Sequence, residues 1–251
     1  MADQTNRTAD PESLADRGVI VTGGTTGIGR ATALRLAGAG ARVLVLGRHQ
    51  KELDDAMADL GKAGGKVCGI TADVATEEGV RRVFDEADRS LGRLDVLVNN
   101  AALAAESVVV GTYAEWEYIV KTNLLGYMAC CHEALARMRG NNSGHIVNVG
   151  SMSADVREKG SSVYVATKAG VQGFSESLRK EVNDLGIKVT LIEPGSVGTD
   201  MQAHKEEHAK KAEAGEMLLA EDIAACVYYC LTQPGRCDVV SVSIRPHRQE
   251  I

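Results

Sequence analysis

The sequence has few aromatic residues, no C-x-x-C motif and no long apolar runs, and each absence argues against a class of protein. Aromatic residues make up only 4% of the 251 residues, which argues against a pocket for a large apolar, steroid-like guest. The six cysteines include no C-x-x-C pair and no His at metal-ligand spacing. We therefore predict no metal site and expect the thiols to be small buried side chains.

An excess of basic residues is also missing. The 28 Lys and Arg residues are outnumbered by 34 Asp and Glu, and the resulting net charge of −6 argues against nucleic acid or an anionic membrane as the main partner. No apolar run approaches the roughly 18 residues of a membrane span, and the polar segment 1–17 lacks the apolar core of a signal peptide. These features favour a cytoplasmic protein with a small-molecule partner.

The chain length suits one large α/β domain and is too short for two domains of similar size. We expect residues 1–13 to be a frayed tail and residues 14–251 to form the domain. Short apolar runs alternate with segments of helical periodicity, including a long helix predicted from about 112 to 139. This alternation predicts an α/β, Rossmann-like doubly wound parallel sheet of about seven strands with helices on both faces.

A glycine-rich turn follows the first predicted strand. Its spacing is Gly23-x-x-x-Gly27-x-Gly29, and residues of helical periodicity follow. Glycines permit a tight turn and let backbone N–H groups approach a pyrophosphate, while a helix N-terminus attracts phosphate. No Gly-Lys-Ser/Thr follows, which disfavours a nucleoside triphosphatase loop, and a dinucleotide site is predicted.

Three polar residues lie within one short segment after the fifth predicted strand: Ser151, Tyr164 and Lys168. Tyr164 and Lys168 are four residues apart and share one face of a helix. A cation at about 4 Å is worth roughly 4 kcal/mol at an effective dielectric of about 20, so we expect Lys168 to lower the pKa of the Tyr164 phenol. This spacing is common by chance and decides little alone.

Further motifs stand in a fixed order along the chain, and thirteen residues separate Ser151 from Tyr164. The motifs are Thr22-Gly23 through Gly27-Ile28-Gly29, Asp73-Val74, Asn99-Asn100-Ala101, Asn123, Ser151, Tyr164 to Lys168, Pro194-Gly195 and Thr199. With these motifs, the chain resembles the short-chain dehydrogenase/reductase (SDR) family, in its compact single-domain form, over residues 14–246.

The resemblance implies hydride transfer between a nicotinamide cofactor and a carbonyl or secondary alcohol. It makes Tyr164 the acid/base and gives Lys168 two roles, lowering the phenol's pKa and holding the nicotinamide ribose. It assigns the substrate oxygen to Ser151 and an ordered, proton-relaying water to Asn123. The cofactor-binding residues that it implies are Gly23, Thr25, Thr26, Gly27, Ile28, Gly29, Arg48, Asp73, Val74, Asn100, Ala101, Tyr164, Lys168, Pro194, Gly195, Val197 and Thr199.

The end of the second predicted strand favours NADP(H) over NAD(H). NAD-preferring relatives place an acid there for the ribose 2′-hydroxyl, whereas this chain has Gly47 followed by Arg48, which leaves room and a positive charge for a 2′-phosphate. The sequence departs from the family at Ala102, where glycine is usual. We expect the extra methyl group to be tolerated.

Two alternative functions remain open: an NAD-dependent alcohol dehydrogenase of the same family, and a dinucleotide-binding sensor or scaffold without turnover. A serine hydrolase is disfavoured because no Gly-x-Ser-x-Gly elbow is present. One hypothesis for the substrate is a polar or acidic carbonyl compound held by Arg157; otherwise the charges near Arg157 face solvent. The resemblance also implies a homodimer or homotetramer paired through the helices around 116–139 and 164–185.

Overall fold

The computed structural model describes residues 11–198 and 205–249. Its strands are β1 (Gly18–Thr22), β2 (Arg42–Gly47), β3 (Lys66–Thr71), β4 (Val96–Asn99), β5 (Gly144–Val149), β6 (Ile187–Pro194), β7 (Val197–Gly198), β8 (Leu218–Leu219) and β9 (Ser241–Ile244). Seven of them form one sheet in the order β3-β2-β1-β4-β5-β6-β9, with every neighbouring pair parallel. The fold class predicted from the sequence is confirmed.

Helices connect the strands and cover both faces of the sheet. They are α1 (Gly27–Gly38), α2 (Gln50–Leu60), α3 (Glu77–Leu91), α4 (Tyr113–Val120), α5 (Gly126–Met138), α6 (Ser153–Val156), α7 (Ser162–Val182), α8 (Lys205–Glu213) and α9 (Ala220–Leu231). Sequence chemistry sets their starts: at α3, for example, the Thr76 hydroxyl accepts the N–H of Gly79 (3.0 Å) and two glutamates lie in the first turn. None of the helices in the described ranges is long and apolar enough to cross a membrane.

Successive strand residues point to opposite faces, and both faces are buried. Val19 and Val21 of β1 pack with α1, α2 and α9, whereas Ile20 between them packs with α3, α5 and α7. A strand covered on both faces needs apolar residues at every position, which explains the uninterrupted apolar runs of the central strands. Because the chain reverses direction across the sheet between β1 and β4, their carboxyl ends border a crevice.

The long helix predicted from about 112 to 139 is present as a continuous helical stretch, but its middle differs from the prediction. A π-helical turn at Lys121–Leu125 lies between α4 and α5. Within this turn the Asn123 side chain bonds the backbone of Leu103, and a Cβ on the following Gly126 would meet the Val74 carbonyl oxygen at 2.8 Å. Helical periodicity does not predict the π-helical turn, because the turn depends on packing against other segments of the chain.

The expectation of buried thiols is met in part. Cys130, Cys131 and Cys230 are buried, but Cys237 is exposed in the surface segment that follows α9. Residues 1–10 of the predicted tail lie outside the described residues. Glu12 donates its N–H to the Thr232 carbonyl (2.7 Å).

Candidate active site

The predicted glycine turn joins β1 to α1 at the crevice. Gly23 and Gly27 have φ values of +62° and +50°, which side chains with a Cβ rarely adopt. A Cβ on Gly29 would collide with the carbonyl oxygen of Gly23, so the helix approaches the turn only because this residue is glycine. Thr26 caps α1 without a side-chain hydrogen bond, and Gly27 and Ile28 border a cavity. The helix N-terminus therefore faces a space suited to an anion.

Asn100 fixes the shape of this turn from the next strand. Its side-chain amide donates to the carbonyls of Thr22 (3.0 Å) and Gly23 (3.2 Å), and the N–H groups of Asn100 and Ala101 donate to the Thr22 hydroxyl. Ala102 has no positive φ. Its methyl group therefore adds no backbone strain where the family usually has glycine.

Two cavities meet at the glycine turn, with Gly23, Thr26, Ala101 and Ala102 in the walls of both. The first has a volume of about 250 Å³, and its other wall residues are Gly27, Ile28, Asn100, Val149, Gly150, Ser151, Tyr164, Lys168, Pro194, Gly195 and Val197. The second has a volume of about 340 Å³, and its other wall residues are Thr25, Leu46, Gly47, Arg48, His49, Glu52, Ala72, Asp73, Val74, Leu103 and Thr122.

The two compartments fit the two halves of a dinucleotide, with the pyrophosphate at the shared glycine turn. Nearly all the predicted cofactor-binding residues border one compartment or the other. The two exceptions are Gly29 and Thr199. Gly29 packs against the backbone of Gly23 within the turn, and Thr199 lies outside the described residues.

Ser151, Tyr164 and Lys168 converge in the wall of the first cavity. Ser151 directly follows β5 and Gly150, while Tyr164 and Lys168 lie in the first two turns of α7. Ser151 lies beside the Tyr164 phenol and favours its ionised form, and the Ser151 hydroxyl accepts the N–H of Ser153 (3.2 Å). One hydroxyl and one phenol therefore lie side by side in the cavity wall.

Lys168 is only 2% exposed, and its ammonium donates to the carbonyl of Val149 (2.8 Å). The nitrogen lies 5.5 Å from the ring centroid of Tyr127 and 5.7 Å from that of Tyr164. Burial disfavours the charged form and lowers the pKa of Lys168 to about 8.

The pKa of the Tyr164 phenol is raised overall, whereas the sequence predicted that Lys168 would lower it. Burial raises the pKa of the Tyr164 phenol; the neighbouring Ser151 hydroxyl opposes this effect, and the negative charge of Glu158 adds to it. The ammonium bonds the Val149 carbonyl and lies against the face of the phenol ring, so the desolvation of a buried phenol dominates.

Asn123 lies behind the cavity and is fully buried. Its side-chain oxygen accepts the N–H of Leu103 (2.7 Å), and its amide donates to the Leu103 carbonyl (2.8 Å) and to the Thr167 hydroxyl (3.3 Å). The side chain thus ties the loop after β4 to α7. The predicted water relay remains a prediction.

Arg157 is exposed, and its Nε donates to the carbonyl of Ala154 (3.3 Å). The residue has a φ of +57° and ends α6, outside the walls of both cavities. The hypothesis of an acidic substrate held by Arg157 therefore gains no support.

Sequence reasoning missed three polar residues near the site. Ser153 donates its N–H to Ser151 and its hydroxyl to Glu158 (3.1 Å). The other carboxylate oxygen of Glu158 is buried and has no hydrogen-bond partner among the described residues. Tyr118 bonds two residues of the second cavity. The Ser-x-Ser pattern that begins at Ser151 was the available sequence signal for Ser153. The contacts of Tyr118 join segments that are far apart in the sequence.

The doubly wound sheet, glycine turn and Ser-Tyr-Lys cluster define a dinucleotide-dependent oxidoreductase. The sequence model described as short chain dehydrogenase matches residues 17–210. The chain belongs to this short-chain dehydrogenase/reductase family and is an NAD(P)-dependent oxidoreductase.

Similar proteins include oxidoreductases from bacteria and from humans. The chain is 34% identical to an uncharacterized oxidoreductase of Staphylococcus aureus (strain USA300), covering 93% of this chain and 98% of that protein. It is 39% identical to the human 3-oxoacyl-[acyl-carrier-protein] reductase, covering 87% and 92%.

Solved structures with the same fold include a metagenomic short-chain oxidoreductase in complex with NADP, which has a TM-score of 0.82, 25% identity and coverage of 95% and 100%. A dehydrogenase/reductase from Sinorhizobium meliloti 1021 has a TM-score of 0.83, 29% identity and coverage of 93% and 95%.

Proposed function

We propose that the protein is an NADP(H)-dependent oxidoreductase that interconverts a ketone and a secondary alcohol, with Tyr164 as the acid/base. The observation that supports this most directly is the convergence of Ser151, Tyr164 and Lys168 in the wall of the first cavity. The name of the human relative, a 3-oxoacyl reductase, also points to a ketone as the reducible group.

The residues fit a nicotinamide dinucleotide. Its pyrophosphate would lie at Gly23, Thr26 and Gly27, its nicotinamide half in the first cavity and its adenosine half in the second. The bound cofactor supplies or accepts the hydride.

The protein's own residues handle the proton and the substrate oxygen. Ser151 holds the carbonyl oxygen through its hydroxyl, and Tyr164 donates the phenolic proton as the alcohol forms. Because burial raises the pKa of Tyr164, the phenol is protonated at neutral pH and ready to act as an acid. Lys168 lies against the phenol ring, and its positive charge stabilises the phenolate that remains after proton transfer.

The preference for NADP(H) rests on Gly47 and Arg48. A Cβ on Gly47 would collide with the Thr25 side chain, so a larger residue, including the acid that binds an NAD ribose, would have to displace Thr25. Arg48 borders the second cavity and supplies positive charge for a 2′-phosphate. The similar metagenomic short-chain oxidoreductase was solved in complex with NADP, which supports a nicotinamide dinucleotide as the cofactor.

Two measurements test this function. A panel of ketones and secondary alcohols is assayed with both cofactors, and the best substrate is then assayed with Tyr164→Phe. We expect higher kcat/KM with NADPH than with NADH, and a loss in Tyr164→Phe of at least the 100-fold typical of general acid catalysis, roughly 10² to 10⁴. Equal turnover by Tyr164→Phe would refute the acid/base role.

The two alternatives give different results in the same assay. Higher kcat/KM with NADH and an alcohol would indicate the NAD-dependent dehydrogenase. Cofactor binding without turnover of any compound would indicate a sensor or scaffold.

We also propose a homodimer or homotetramer, with α4, α5 and α7 at the subunit contact. Leu125, in the π-helical turn, is 51% exposed, and Met128, in the first turn of α5, is 37% exposed. Sedimentation of the protein and of Leu125→Asp tests this: we expect the variant to dissociate at concentrations where the parent stays assembled. A monomeric parent would refute the proposal.

A further inference from the structure

Tyr118 of α4 bridges two residues in the wall of the second cavity. Its phenol oxygen accepts a hydrogen bond from the Arg48 guanidinium (Nη1, 2.8 Å), and its proton goes to the carboxylate of Asp73 (Oδ2, 2.6 Å). The Thr122 hydroxyl, also in the cavity region, bonds the Tyr118 backbone carbonyl (2.9 Å). One phenol therefore joins the ends of β2 and β3 across the rim of this cavity.

The direction of this chain of hydrogen bonds is fixed by chemistry. An arginine can only donate and a carboxylate can only accept, so the phenol must accept from Arg48 and donate to Asp73. The other carboxylate oxygen of Asp73 accepts the N–H of Ala75 (2.9 Å), which holds the acceptor in place. Burial and the bond to Asp73 raise the pKa of Tyr118, and the phenol therefore remains a neutral donor.

Arg48 needs such an anchor. The residue is exposed, and a free arginine side chain carries about 2 kcal/mol of rotamer entropy that binding must remove. The guanidinium carbon lies 5.6 Å from the centroid of the Tyr118 ring, so the ring also supports the cation. Arginine has five N–H donors, and the bond to Tyr118 leaves four for a ligand.

We propose that Tyr118 is a positioning residue that holds the Arg48 guanidinium at the rim of the second cavity and so sets the preference for a 2′-phosphorylated adenosine. This inference rests on the proposed NADP(H) function, because Arg48 is the phosphate-binding group in both. Cofactor specificity, attributed above to Gly47 and Arg48 at the end of β2, would then also depend on Tyr118 of α4.

The test compares two ligands that differ only in the 2′-phosphate: adenosine 2′,5′-bisphosphate and 5′-AMP. Both contain only the adenosine half of the cofactor, so the catalytic side takes no part. Dissociation constants are measured by titration calorimetry at one salt concentration for the full-length protein, Tyr118→Phe, Arg48→Ala and the double variant. Tyr113→Phe is the matched control, because Tyr113 begins the same helix and is 76% exposed.

We expect Tyr118→Phe to weaken the bisphosphate about three- to tenfold, the range for the ordering of one long side chain. The affinity for 5′-AMP should change less than twofold, because this ligand lacks the 2′-phosphate that Arg48 binds. In the Arg48→Ala background, Tyr118→Phe should have no further effect on the ratio of the two affinities. Tyr113→Phe should behave as the parent.

The outcomes separate this inference from the proposed function. Suppose that the parent binds the bisphosphate more tightly than 5′-AMP, that Arg48→Ala removes this difference and that Tyr118→Phe leaves the ratio of the two affinities unchanged. The role of Tyr118 is then refuted and the NADP(H) preference stands. An equal loss for both ligands also refutes it, because Tyr118 would then act on the adenine side or on the fold alone. If the parent does not discriminate and Arg48→Ala changes nothing, the NADP(H) preference falls and the positioning role falls with it.

Discussion

Replacing Lys168 by methionine should make the protein more stable, by an amount that depends on pH. The ammonium is buried, and its pKa falls from 10.5 in the unfolded chain to about 8 in the fold. Since the folded state binds its proton more weakly, the buried charge opposes folding below pH 8, and this opposition fades as the pH rises towards 10.5. Methionine has a similar length and no charge.

The size of the effect follows from this displacement of the pKa. The charge of Lys168 disfavours the folded state by about 3 kcal/mol at pH 7, by about 2 kcal/mol at pH 9 and by almost nothing above about pH 11. The substitution also removes a donor to the Val149 carbonyl, but the Tyr127 hydroxyl still donates to that oxygen (3.1 Å). The stability gain of Lys168→Met should therefore shrink by about 1 kcal/mol between pH 7 and pH 9.

Urea unfolding at pH 7, 8 and 9 and one protein concentration measures this difference, with circular dichroism as the signal. Lys159→Met is the control for losing a positive charge, because Lys159 is exposed in the neighbouring loop. A difference between Lys168→Met and the parent that is the same at all three pH values would refute the reasoning. Activity should be lost in the variant whatever its stability.

Two other predictions concern pH. Glu158→Gln should lower the pKa of Tyr164, since the Glu158 charge raises it, and the alkaline limb of kcat/KM should move to lower pH; an unchanged limb would contradict this. Burial, helped by the charges of Lys188 and Arg17, lowers the pKa of His145 to about 3, so stability should fall as the pH drops below 6.5. Between pH 7 and pH 5, the free energy of unfolding measured in urea should fall by about 2 kcal/mol less in His145→Gln than in the parent. An equal loss in the variant would count against the idea.

Local sequence features predicted the sheet and the residues that the fold brings together at the crevice. A strand buried on both faces requires a continuous apolar run, and the run from Gly18 to Thr22 is therefore enough to identify β1. The carboxyl ends of parallel strands share one edge, which brings Gly23 and Ser151 together whatever the details of packing. Tyr164 and Lys168 meet because helical geometry joins residues four apart.

Features that depend on several distant segments were not predictable from the sequence. Helical periodicity missed the π-helical turn at Lys121–Leu125, where Asn123 bonds a separate loop. Nothing in the local sequence joins Tyr118 to Arg48 and Asp73, which lie 70 and 45 residues away along the chain.

The sequence by itself determined which chemical groups the protein brings to its cavity, because periodicity and strand direction fix their order and side. The tertiary structure alone decided the pKa values of those groups. Spacing predicted an ammonium acting on a phenol, yet the pKa of Tyr164 rises because both groups are buried. Desolvation depends on every segment that packs around a group, and it outweighs the interaction of two neighbours.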